Sequence, residues 1–172
     1  MTKFLLHAVT LAFLASPLAA VAADGPRQTE VARLGADVMP FSLNATMHVF
    51  TKTAEGGTQR VVAKSLTDTN QIRLVREHLH DIQAQFMKGD FSGPTHIHGN
   101  DMPGLAVLKT AKPDQISIRY QDTAGGAELT YQAADATVVA ALHAWFDAQL
   151  SDHGSDAMSG HQHHHHGDTG KQ

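Results

Sequence analysis

The 172-residue chain contains no cysteine. Disulfide stapling is therefore excluded, and so is thiolate as a ligand for a soft metal. An excess of basic charge is missing too: the 13 Lys and Arg residues are outnumbered by 17 Asp and Glu residues, which makes nucleic acid a poor partner. Sequence signatures of serine hydrolases, phosphate-binding loops and His-Glu-x-x-His zinc proteases are also absent. No apolar run is long and clean enough to span a bilayer, because Ser16-Pro17 interrupts the one near the start and no second follows.

Met1 to about Ala23 reads instead as a secretory signal peptide. Lys3 supplies the positive start, Phe4 to Leu18 is mostly apolar, and small residues close it around Ala20-Val21-Ala22. The sequence thus predicts export to the periplasm, without a stable membrane span after cleavage. Roughly 150 residues remain, enough for a single domain with its own core.

What is plentiful is histidine. Twelve of the 13 lie beyond the signal, seven in the body and five between His161 and His166. With imidazole abundant and thiol absent, the borderline divalent ions copper and zinc are the natural partners, with nickel behind them.

Residues 24–40 read as an N-terminal tether or a short helix, and 41–152 as a single α+β domain. Alternation from Phe41 to Lys64, broken at Thr53-Ala54-Glu55-Gly56-Gly57, predicts a β-hairpin. Its faces carry Phe41, Leu43, Ala45, Met47 and Val49 on one side and Asn44, Thr46, His48 and Phe50 on the other, with His48 expected on a face open to a ligand. Asp68 or Thr69 caps a helix to about Lys88, with Ile72, Val75, Leu79, Ile82 and Phe86 as its apolar stripe and Gly89 as its stop. A long connection to Pro113 follows, with a short helix expected from Met102 to Ala111. Gln115 to Gln132 reads as a second hairpin, and Ala134 to about Leu150 as a second long helix. Two β-hairpin-helix units would form a four-stranded, mostly antiparallel sheet with two helices on one face. Residues 153–172 read as a disordered His-rich tail.

The stretch from Pro94 to Leu105 concentrates metal-capable side chains in turn-forming backbone. His96-x-His98 in an extended segment would set both imidazoles on one side of the chain, and Asp101 and Met102 would fold back toward them. His78 flanks the apolar stripe of the first long helix. His143 lies on the second, with Asp147 one turn later to hold its ring. His153 reads as a residue at a helix end, favoured there by its positive charge. The expected metal ligands are therefore His96 and His98 with one or more of His48, His78 and His143, supported by Asp101 and Met102. His161, His163, His164, His165 and His166 would gather ions more loosely.

Met47-His48-Val49-Phe50, Gly89-Asp90-Phe91-Ser92, Ile97-His98-Gly99, Met102-Pro103-Gly104-Leu105 and Trp145 to Leu150 with Asp152-His153-Gly154 resemble motifs of a group of short exported proteobacterial proteins of uncharacterised role. The resemblance spans about Phe41 to Asp156 and implies that His48, His98, His143 and His153 belong to the group's motifs. Its members often carry the name aspartate carbamoyltransferase. That activity is rejected here. It needs a far longer catalytic chain and a Ser-x-Arg-Thr loop, whereas Ser117-Ile118-Arg119-Tyr120 lacks the threonine and falls in an expected strand. Three functions follow from the residues. The first is a periplasmic transition-metal-binding protein for buffering, tolerance or delivery, and the second a metal-dependent enzyme of unknown substrate with Asp90 or Asp101 as base. The third is a ligand-binding, haem-binding or interaction domain in which the histidines are incidental, or in which His48 or His143 ligates haem.

Overall fold

A computed structural model describes residues 25–161. The signal segment and the tail beyond His161 lie outside the described residues.

The architecture is α+β, with five helices and one five-stranded mixed sheet. The first hairpin consists of β1 (Thr46–Thr53) and β2 (Gly56–Ala63), and the second of β3 (Ser117–Thr123) and β4 (Gly126–Gln132). They join through antiparallel β2–β4 pairing, in which Val61 faces Ala127 and Gln59 faces Leu129. Each hairpin is followed by a long helix, α2 (Thr69–Phe86) and α5 (Ala136–His153), as the sequence pattern predicts. The expected four antiparallel strands are only part of the sheet. A fifth, β5 (Ala157–Ser159), runs parallel to β1 at its edge, giving the order β3-β4-β2-β1-β5.

One face of the sheet is covered. Thr46, His48 and Phe50 of β1, Gln59, Val61 and Ala63 of β2, and Ala127, Leu129 and Tyr131 of β4 are buried on it, alternating with more exposed neighbours. Helix α2 lies over β2, β3 and β4, and α5 over β1, β2 and β5. Asp68 caps α2 by accepting a hydrogen bond from the Gln71 amide, and the buried stripe of that helix is Ile72, Val75, Leu79, Ile82 and Phe86. Each such side chain contributes roughly 1.5–3 kcal/mol on leaving water.

Three shorter helices complete the domain. They are α1 (Pro26–Gly35), α3 (Ser92–His98) and α4 (Leu105–Thr110); α1 and α4 pack against α5, and α3 against α1. The 24–40 stretch is thus helical through most of its length, with Val31 fully buried. Gly104 precedes α4 with φ 76°, and a Cβ there would lie 2.0 Å from the Ala141 carbonyl oxygen, so α4 seats directly on the α5 backbone.

The short helix expected from Met102 to Ala111 is present as α4. Two expectations are corrected: the His96-x-His98 segment is helical rather than extended, and residues 153–160 are structured rather than part of a disordered tail. His153 is buried at the end of α5, Gly154 ends that helix at φ 53°, and β5 follows a single 3-10 turn. Strand pairing with β1 orders this segment although it lacks an apolar run of its own.

Candidate functional site

The helical course of α3 separates the two histidines that the sequence pairs. Neighbours two apart on a helix diverge by roughly 200°, whereas on a strand they share a side. The His98 side chain is 1% exposed; that of His96 is 50% exposed and pairs with Asp37 at 3.2 Å. Asp101 lies on the surface, and Met102 packs into the hydrophobic core.

His98 instead meets two other histidines. Its ring lies 5.2 Å, centroid to centroid, from that of His153 at the end of α5, edge to face. The His153 ring in turn stacks on His48 of β1 at 4.8 Å with planes 12° apart. His48 is therefore not on an open face: it points into the layer between sheet and helices because it shares the direction of Phe50, which packs on Phe146. His78 of α2 is half-buried, with its ring 5.5 Å from that of Phe41, and lines the same cavity as the other three.

Burial sets the charge state of this group. Desolvation pushes His48 and His78 down to about 4, with His78 adding repulsion at His48. Burial also lowers His153 well below the ordinary value, helped by His48 and His98. His98 is lowered by burial too, opposed in part by Asp152. At neutral pH these four imidazoles are uncharged.

Two of them are fixed in orientation. His98 Nδ1 donates to Asp152 Oδ2 at 2.8 Å, which puts the neutral ring's lone pair on Nε2. Burial alone would raise the Asp152 carboxyl, but hydrogen bonds from Arg27 and His98 hold it below the usual carboxylate range. Arg27 Nε reaches Asp152 at 3.0 Å, and Arg27 Nη2 also donates to the His98 carbonyl at 2.9 Å. One guanidinium from α1 thus ties the ends of α3 and α5 together. His48, 3% exposed, hydrogen-bonds to the Asp156 backbone, while its Nδ1 has no partner among the described residues.

The four histidines border a cavity of about 440 Å³ whose apolar wall includes Leu79, Ile82, Phe86, Ile97 and Trp145. Gln149, one turn before His153 on α5, adds a buried amide beside His98.

The remaining expected ligands lie elsewhere. His143 Nε2 approaches the carbonyl oxygens of Thr53 and Gly56 at 3.0 and 2.9 Å, fastening α5 to the first hairpin turn. Asp147 pairs with Lys52 rather than with His143. Asp90 accepts a hydrogen bond from the Ser92 amide at the start of α3. His161 is exposed, and His163, His164, His165 and His166 fall outside the described residues. Arg27, Gln149, Asp152 and His153 are the site residues that the sequence reading did not select. Trp145, Gln149 and His153 recur every four residues on one face of α5, a pattern that points to Gln149 and His153, and the motif Asp152-His153-Gly154 includes Asp152; no sequence pattern points to Arg27. Among the described residues, no group of three or more His, Asp or Glu side chains is already arranged to hold a metal ion, and no helix is long and apolar enough to cross a membrane. Compared with known protein families, characterised proteins and solved structures, the chain matches none.

Proposed function

We propose that this protein binds a borderline divalent transition metal, copper or zinc ahead of nickel, in the periplasm, and serves in buffering, tolerance or delivery of that ion. The observation that supports this reading is the meeting of three neutral imidazoles, His48, His98 and His153, from three separate elements at one cavity. Histidine ligates metal as the neutral ring with its far nitrogen tied down. Asp152 does this for His98, and the Asp156 backbone for His48. Nitrogens about 2 Å from a tetrahedral ion set ligand ring centres about 5 Å apart. The spacings of 4.8 and 5.2 Å suit that arrangement, although the stacked His48 and His153 rings have to turn before their lone pairs reach one point. In this reading the His-rich tail collects ions and the body holds them more firmly.

The test is a zinc and copper competition titration on protein ending at Gly160, which removes the tail but keeps β5. The body is expected to bind tighter than about 10 μM, and His98→Ala to weaken it at least about tenfold. A body that binds neither ion at that level rules the proposal out.

A further inference from the structure

Two buried polar atoms on residues lining the cavity beside the imidazoles have no protein partner among the described residues. Trp145 is fully buried, and its Nε1–H has no hydrogen-bond acceptor among the described residues. His48 Nδ1, also buried, has no donor there. Both residues border the same space of about 440 Å³. A buried group left without its partner is costly, so an unmet indole N–H and an unpartnered imidazole nitrogen at one cavity together call for an occupant that meets both. Leu79, Ile82, Phe86 and Ile97 make an apolar stretch of wall beside polar side chains such as Gln59 and Gln149, and the volume lies within the range of small-molecule sites, roughly 300–1,000 Å³.

Charge narrows the class. Among the described residues no Lys or Arg side chain lines it, so no fixed cation waits inside for a carboxylate or phosphate. Glu77, paired with Arg73, and Asp81 lie on its border and add no positive charge.

We infer that this cavity is a binding site for a small uncharged molecule with an aromatic or alicyclic ring and a hydroxyl group. The hydroxyl donates its hydrogen to His48 Nδ1, its oxygen accepts from Trp145 Nε1–H, and the ring packs against Leu79, Phe86 and Ile97. The inference goes beyond the metal reading and does not depend on it.

Trp145 is the only tryptophan in the chain, so its fluorescence reports on this cavity directly. The experiment uses the full secreted chain, purified without a nickel column and treated with EDTA, at pH 7.5. It compares 4-methylphenol, toluene and 4-methylbenzoate by Trp145 emission and by calorimetry. Expected is saturable binding of 4-methylphenol with Kd below about 1 mM, with toluene and 4-methylbenzoate each at least about tenfold weaker. Toluene is the more apolar of the two neutral probes, so a cavity that reads only shape would prefer it. Equal or tighter binding of toluene therefore overturns the inference, as does no saturable binding of 4-methylphenol, the result expected if water alone fills the space. His48→Phe keeps ring volume and removes the acceptor, and is expected to abolish the preference for the phenol. If that variant does not fold, the wild-type ratio decides alone. A zinc titration of the same EDTA-treated protein tests the metal reading separately, and either result can fail while the other stands.

Discussion

His48 and His153 stack with ring centroids 4.8 Å apart and planes 12° apart, although one sits mid-strand on β1 and the other ends α5. Two neutral imidazoles can share that contact inside a core. Two imidazolium ions cannot, since each would lose its hydration and face a like charge. The fold therefore depends on a protonation state.

Stability should fall steeply with acid. In the unfolded chain these histidines titrate near 6.5, whereas folding lowers His48 and His78 to about 4 and depresses His98 and His153. The unfolded state then binds more protons throughout that window, so stability is complete above about pH 6.5 and drains away as pH falls toward 4. A shift of this size at His48 alone corresponds to about 3 kcal/mol. Urea midpoints measured between pH 7.5 and 4.5 should drop progressively below pH 6.5, and a flat profile would mean that the cluster is not buried as described.

Asp152 should matter for affinity more than for stability. It accepts from His98 Nδ1 and from the half-exposed Arg27. Asp152→Asn keeps the shape but surrenders the charge that fixes the ring's tautomer and basicity. Zinc affinity of protein ending at Gly160 should fall about 10- to 100-fold, while the partly solvated ion pair is worth only about 1 kcal/mol of stability. Competition titration beside urea unfolding separates the two; a large stability loss with affinity intact would assign Asp152 a purely structural role.

His143 gives the opposite pattern. Its ring nitrogen fastens α5 to the Thr53 and Gly56 carbonyls, outside the imidazole cluster. His143→Ala should cost about 1–2 kcal/mol in urea unfolding and leave metal affinity unchanged within about twofold. Lost binding would bring His143 back among the ligands.

Much of the scaffold was legible because local pattern and tertiary packing agree there. The stripe Ile72, Val75, Leu79, Ile82 and Phe86 is the buried face of α2, and Asp68 is its cap. Both hairpins fall around their Gly-containing turns. The site was harder to read for two physical reasons. Seven residues from Ser92 to His98 are too few for helical periodicity to show, and an extended reading wrongly placed His96 beside His98. The direction of His48 depends on which sheet face the helices cover, and alternation alone leaves that choice open, since Met47 and Val49 form an equally apolar set. His153 looked like a charged helix end because the strand that buries its surroundings, β5, is three residues long.

That short strand yields the sharpest structural prediction. β5 aligns Ala157 with His48 and Ser159 with Phe50, and the Gly160 amide donates to the Phe50 carbonyl at 2.9 Å. The Asp156 backbone, just before it, fixes the His48 ring. A chain ending at Gly160 should melt within about 1 °C of the full protein, because it keeps every contact among residues 25–160. A chain ending at Asp156 bares the β1 edge and frees the backbone that positions His48. A loss of about 1–2 kcal/mol lowers the melting temperature by roughly 3–10 °C in a domain of this size. Calorimetry on the two truncations measures the difference. Equal melting temperatures would show that β5 contributes nothing, and His48 would then need another reason to stay where it is.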